Sequence, residues 1–407
     1  MNSINWKFKL HRTRMISSEN AYFNRWLLLS GVFMCALFLG AEVKAQPKVK
    51  TFNVGLIFRM DDKLNGVELS KGIDTAKSLF EKTYPDVQIK FHRFPHDDEI
   101  ESIVKASQEV LKKKLPAVIG GELSEEAFVL RDAFEGKKTV LLTPTSTNPL
   151  VTQGQPYVFR FCLTDQQIVS DLAKMTLKSL KPKVIGVVNN VSSPYSAYVS
   201  KQFLETLNTE QANSKTKIPV FEERILEDTI DLEAQIQNFI DKKVTHVVIP
   251  VHPSKFVHFV TQARAKRFYP VYIGSDGWGS SENIWQRLVE NSSDRATFVA
   301  YRAWFWNDRL ITPLGNDFRK EYFVKYKDNP SGFAAIGFDT AWVLFSAMNQ
   351  VSKPQSGEEI QKALVQLKGL NLATTKSFYF EKDHSPSGGV HIYKIDESGV
   401  HFQETFK

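Results

Sequence analysis

The run Ala117-Val-Ile-Gly-Gly-Glu-Leu-Ser124, followed by Leu141-Leu-Thr-Pro-Thr-Ser-Thr-Asn-Pro149, decides the fold class. Each is a short apolar strand that stops abruptly in glycine and small hydroxyl residues. In open α/β sheets, ligands bind just beyond the carboxyl ends of the strands. Two such ends carrying Ser124, Thr145, Ser146 and Thr147 make a polar rim. Hydroxyls and backbone N–H groups at helix starts suit a carboxylate or similar anion. The same residues also fit a plainer reading, with Ser124 as a helix N-cap and 143–147 as a loop of capping residues. The run alone leaves both readings open.

Outward from it, apolar strands alternate with amphipathic helices. Thr51–Phe58, Val87–Phe91, Pro116–Gly120 and Thr139–Leu142 read as strands, with helices over Gly66–Lys82 and Ile100–Lys114. Repeated β-α units imply a parallel sheet with helices on both faces. After Pro156-Tyr-Val-Phe-Arg160 the alternation restarts. Helices are predicted over Gln166–Leu180, Tyr195–Leu207, Ile230–Asp241 and Ser254–Arg267. Strands fall at Lys183–Val188, Ile218–Glu222, Thr245–Pro250 and Val271–Ile273, the last running into Gly274-Ser-Asp-Gly-Trp-Gly279. The C-terminal third differs in texture. A strand over Phe298–Phe305 precedes helices over Pro313–Lys327, Ala334–Val351 and Glu358–Leu367, and strands over Ser377–Phe380 and Val390–Ile395. Two doubly wound units in one chain predict two lobes with a cleft between them.

The N-terminus reads as a secretory signal over residues 1–45. Lys7, Lys9, Arg12, Arg14 and Arg25 precede an uncharged apolar block, Trp26–Ala41, and Val43-Lys44-Ala45 has the small residues of a cleavage site. An uncleaved anchor is the alternative, and Met15 is a second candidate start. The chain carries +7, much of it in this leader, and the remaining charge is scattered. That argues against nucleic acid as a partner. Cleavage leaves Cys162 as the single cysteine, so no internal disulfide is expected, and its strand-like surroundings predict a buried, inert thiol. No P-loop, G-x-S-x-G elbow or G-x-G-x-x-G after the first strand is present. His92 and His96 straddle Pro95, and His384 and His391 lack metal-site spacing. Neither an enzyme, a cofactor nor a metal site is expected.

Taken in order, the markers resemble the type I periplasmic solute-binding proteins, specifically their leucine/isoleucine/valine-binding branch. Besides the opening run, they are Tyr157-Val-Phe-Arg-Phe161 with Asp165, Val184-Ile-Gly-Val-Val188 with Tyr195, Ile273-Gly-Ser-Asp-Gly-Trp278, Phe318 through Tyr326, Phe338-Asp-Thr-Ala341 and the Phe380 to Gly389 turn. The resemblance implies two α/β lobes joined by a three-crossover hinge near 161–163, 303–305 and 375–378. Lobe one would be 51–162 plus 305–376, and lobe two 163–304 plus 377–407.

It also implies roles. Ser124 and the turn residues Thr145, Ser146 and Thr147 would hold an amino acid's carboxylate, Asp276 would pair with its ammonium, and Tyr195 would face the cleft. Arg59, His252 and Trp278 are weaker candidates, with Asp61 beside Arg59. Asp276 is shorter than the family's glutamate, and the first loop, Phe58–Gly66, is shorter and more charged than usual. The first departure leaves open where the amine sits and whether one is present, and the second leaves the solute's side chain open. The expected function is an exported periplasmic receptor that captures a small polar or amino-acid-like ligand by hinge closure and delivers it to the membrane permease of an ABC transporter. The alternative is a module that reports occupancy to a signalling partner.

Overall fold

The structure, a computed structural model, describes residues 49–59, 66–97, 99–212, 217–290, 292–304, 306 and 312–406. The leader, Asp61 and Phe305 lie outside the described residues. Five parallel strands build the first sheet: β1 (Lys50–Ile57), β2 (Val87–Arg93), β3 (Ala117–Gly120), β4 (Val140–Thr143) and β5 (Val158–Arg160). Their spatial order is β2-β1-β3-β4-β5. Neighbouring residues along each strand face opposite cores. Leu56, Ile119, Leu142 and Phe159 point to one face, and Ile57, Val118, Leu141 and Val158 to the other. Strands β3, β4 and β5 are therefore largely apolar along their length, as expected of a sheet covered on both sides, whereas edge strand β2 alternates.

One cover consists of α1 (Gly66–Thr83), α9 (Pro313–Tyr326), α10 (Gly332–Gln350) and α11 (Gly357–Gln366). The other consists of α2 (Ile100–Lys112) and α3 (Ser124–Phe134). Helix α10 is apolar nearly all round and almost wholly buried, as a helix without a polar face must be. It meets α1 at a glycine crossing. A Cβ on Gly72 would lie 1.9 Å from the Ala334 carbonyl oxygen, and one on Gly337 2.2 Å from that of Leu69.

The second sheet has seven strands. They are β6 (Ile185–Asn190), β7 (Val220–Ile225), β8 (His246–Val248), β9 (Val271–Gly274), β10 (Val299–Trp304), β11 (Val390–Asp396) and β12 (Gly399–Phe406). Their order is β12-β11-β10-β9-β8-β6-β7. The β7 to β10 part is parallel, and β11 and β12 add an antiparallel ribbon. Helices α4 (Asp165–Met175) and α5 (Pro194–Glu210) cover one face, and α6 (Glu233–Asp241) and α7 (Pro253–Ala265) the other. A short α8 (Ser281–Trp285) follows the β9 loop. Hydroxyl caps start several of these helices. Thr164, Ser193, Thr312, Ser331 and Ser356 each accept a backbone N–H from the first turn, a contact worth about 1 kcal/mol apiece.

Three details depart from expectation. The helix predicted over 166–180 ends as α-helix at Met175 and continues as a wider π turn to Leu180. Residues 377–380 make only the isolated bridges Leu370 to Phe378 and Phe380 to Pro386 rather than a strand. The segment after 377, assigned by sequence to lobe two, begins on lobe one. Phe378 packs 5.4 Å from Phe161 and Phe380 5.0 Å from Phe159, ring centre to ring centre. The Arg160 N–H donates to the His384 carbonyl at 3.1 Å. These aromatic side chains complete the first core, and the chain joins the second sheet only at Val390. Among the described residues no helix is long and apolar enough to cross a membrane.

Candidate functional site

Each sheet has a switch point at which successive crossovers leave in opposite directions: β1/β3 in the first, β6/β8 in the second. The carboxyl ends at and beside these points converge on one small cavity. Ser124 follows β3, and Thr145 and Thr147 follow β4. Tyr195 follows β6, His252 follows β8 and Asp276 follows β9. All six line the cavity, with Glu122, Leu123, Gly277, Gly279 and Phe333. Its volume is about 40 Å³, room for about three water molecules.

The lobe-one wall is a set of locked hydroxyls and an exposed helix start. The Thr145 hydroxyl donates to the Glu122 carbonyl at 2.6 Å, and the Ser146 hydroxyl donates to the carbonyls of Gly121 and Leu123 at 2.7 and 2.9 Å. Ser124 opens α3 rather than capping it; the N-cap position is Leu123. The positive end of that helix therefore faces the cavity. Beneath the threonine turn lies Arg160, fully buried. Its guanidinium donates to the carbonyls of Ser146, Asn148 and Pro149 at 3.0, 2.8 and 3.0 Å and to the Thr152 hydroxyl at 2.8 Å. An arginine in a strand thus fixes the loop that carries Thr147.

Lobe two repeats the device. Buried Arg302, on β10, donates to the carbonyls of Gly279 and Asp276 and to the Ser281 hydroxyl, which fixes the loop bearing Asp276. The Gly277 N–H donates to the Tyr195 hydroxyl at 3.1 Å. A Cβ at position 277 would lie 2.4 Å from that hydroxyl oxygen, so the contact requires glycine. Tyr195 stacks on His252 with ring centres 5.6 Å apart. The Ser275 hydroxyl donates to Asp276 Oδ1 at 2.6 Å.

The charge balance of this wall is acidic. Burial pushes the Asp276 carboxyl above its ordinary pKa, with the Ser275 bond and the charges of Arg302 and His252 opposing. Asp165 at the start of α4 is fully buried beside it. Burial drives its pKa well up, Asp276 adds to the push, and Thr147 and Arg160 oppose it. Two desolvated carboxyls side by side favour an arriving cation over a second anion. The wall opposite offers the Ser124 hydroxyl and the backbone N–H groups at the start of α3, which suit an anion, with the Glu122 carboxylate at its edge. A zwitterion satisfies both.

The remaining candidates fall elsewhere. Ser146 is buried and spends its hydroxyl on the neighbouring β3–α3 loop, outside the cavity wall. Trp278 is a core residue: it stacks on Phe256 at 3.9 Å and its indole N–H donates to the Ile249 carbonyl at 2.8 Å. The one-turn 3-10 helix Asp276–Trp278 sends Asp276 outward and Trp278 inward. Arg59 bridges His96 near the buried Glu126, behind the wall. Sequence reasoning missed Glu122, Asp165 and Phe333. Glu122 lay inside the opening run and Asp165 among the markers, so position near a strand end was an available signal for both. Phe333 comes from the distant start of α10 and carried none. Cys162 is buried, and burial drives its pKa far up. Among the described residues no cluster of histidine, cysteine and carboxylate side chains is arranged to hold a metal.

Two doubly wound lobes whose strand ends share one polar cavity define a two-lobed α/β fold. The chain belongs to the periplasmic binding protein family, whose model matches residues 86–400. It is 23% identical over 179 residues to the leucine-specific-binding protein of Salmonella typhimurium, which covers 44% of this chain and 47% of that one. It is 31% identical over 106 residues to the Leu/Ile/Val-binding protein BraC3 of Rhizobium johnstonii, covering 26% and 29%. The chain thus matches about half the length, or less, of these curated relatives. Similar solved structures include a leucine binding protein, LivK, of Thermotoga maritima (TM-score 0.77, 20% identity, 88% of this chain and 99% of that one). The branched-chain amino acid transporter substrate binding protein LivJ of Streptococcus pneumoniae, in complex with isoleucine, is similar to the same degree (TM-score 0.76, 20% identity, 88% and 100%). At these identities the likeness establishes the fold.

Proposed function

We propose that this chain is an exported receptor that closes its lobes over an α-amino acid and delivers it to the permease of an ABC transporter. The observation that carries this reading is the division of the cavity. Ser124, Thr145, Thr147 and a helix start face it from lobe one, and Asp276 and Tyr195 face it from lobe two. The carboxylate is held by the Ser124 hydroxyl and the N–H donors of the helix start, and the ammonium by a carboxylate, each a charge-assisted hydrogen bond. Only the closed arrangement offers both halves, so the ligand favours closure by its differential affinity. Arg160 and Arg302 hold the two loops, so the donors and the acid are in place before the ligand arrives.

The named relatives support the choice of ligand: proteins described as leucine- or Leu/Ile/Val-binding share segments of sequence, and one with isoleucine bound shares the fold. Family membership supports export to the periplasm, with residues 1–45 as the removable leader. Output is binding alone, with no bond made or broken. Isothermal titration of the purified protein against the common L-amino acids tests the reading. At least one is expected to bind, and Ser124→Ala and Asp276→Ala are each expected to weaken it tenfold or more, about 1.4 kcal/mol. Unchanged affinity in both variants would overturn the assignment.

A further inference from the structure

The head-group cavity is too small for a whole amino acid, and its Phe333 wall leads to where the side chain goes. Phe333 also lines a second, larger cavity of about 700 Å³, and Gly279 of the first adjoins Ser280 of the second. Trp304, Trp306, Phe333 and Tyr393 supply its aromatic surface, and Ser280, Ser281, Asn283 and Gln286, all after β9, line it as well. Cavities of roughly 300–1,000 Å³ hold ligands of drug size. A branched aliphatic chain and an aromatic one both fit within it, so the lining rather than the size discriminates between them.

We infer that the preferred solute is an α-amino acid with a bulky aromatic side chain bearing a hydrogen-bond donor, of the tryptophan or tyrosine kind. This rests on the amino-acid reading above and narrows it. Planar faces favour a planar guest through offset or edge-on ring contacts, and Trp304 already meets Phe333 edge-on at 5.2 Å. Each indole carries a guanidinium: Arg302 lies 4.2 Å from the Trp304 ring centre and Arg319 6.0 Å from that of Trp306. A second cation on these rings would be repelled by the guanidinium already there, whereas an uncharged ring would not. The polar lining includes the carboxylates of Glu68 and Asp328 and no basic side chain among the described residues. Glu68 is engaged by Lys71, Tyr322 and Ser331. Asp328 accepts only its neighbour's backbone N–H among the bonds seen here, leaving acceptor capacity for an indole N–H or phenol O–H. An anionic tail meets like charge.

The test is titration calorimetry of the full protein with L-tryptophan, L-tyrosine, L-leucine and L-valine, repeated in Asn283→Trp, which fills the chamber from the lobe-two side. Tryptophan or tyrosine is expected to bind at least tenfold tighter than leucine. In the variant that ratio is expected to fall below threefold. Leucine or valine binding as tightly as both aromatic amino acids overturns the inference and leaves the proposed function standing. An aromatic preference that persists in the variant places the side chain elsewhere and also overturns it. Failure of all four, with no other amino acid bound, overturns both readings.

Discussion

At the scale of single residues, the buried ionisable groups give the sharpest expectations. Burial raises the Asp276 carboxyl above its ordinary pKa, and an incoming ammonium pulls it back down by favouring the charged form. Over the pH range in which the free protein holds that proton, binding should therefore release it. Calorimetry at one pH in buffers of different ionisation enthalpy should show different apparent enthalpies, with the buffer taking protons up. Identical enthalpies would contradict the assignment.

Stability carries a second signature. Burial pushes Glu126 from its ordinary 4.5 up to about 7 and Asp339 from 3.8 up to about 7. Between those limits the folded protein binds more protons than the unfolded chain. Stability should then be fully present at the acid end and fall as pH rises toward 7, by up to about 3 kcal/mol for Glu126 and about 4 kcal/mol for Asp339. Glu126→Gln should flatten part of that fall in urea titrations taken across pH 4.5 to 7. Arg160→Met should cost about 3 kcal/mol, because it leaves buried carbonyls of the threonine turn without donors; the urea midpoint checks it.

At the scale of elements, the β-α alternation was readable because strands covered on both faces are continuously apolar. Ser124, Thr145, Thr147 and His252 were readable for the same reason, by position after a strand, whereas Tyr195 and Asp276 came only through the family resemblance. Trp278 shows the limit. Two residues past Asp276 it points the other way, because a tight turn, not a strand, sets its direction. Phe333 was illegible because α10 returns to the site across some two hundred residues. The packing of Phe378 and Phe380 on β5 was equally hidden. Aromatic residues at alternate positions read as a strand, whereas the vacant flank of Phe159 and Phe161 decided their place. The α1–α10 crossing yields its own expectation. Gly72→Val drives a side chain into the Ala334 carbonyl and should destabilise the first lobe by about 2 kcal/mol or more, measured by thermal or urea unfolding.

At the scale of the whole molecule, the lobes touch across the mouth of the cleft. The Ser193 hydroxyl at the start of α5 donates to Glu125 Oε1 on α3 at 2.7 Å. The Asn148 side chain donates to the Pro194 carbonyl at 3.4 Å. Both contacts span the lobes and neither touches the cavity wall. They stabilise closure without stabilising either lobe alone. Glu125→Ala should therefore weaken solute binding a few-fold through the closed population while leaving the unfolding midpoint nearly unchanged. The central claim is that a solute draws two lobes together. Small-angle X-ray scattering of the purified protein, with and without a saturating amino acid identified by titration, measures it directly. The account predicts a smaller radius of gyration and a shorter maximum dimension with ligand. Superimposable profiles for a solute bound at saturation would contradict it.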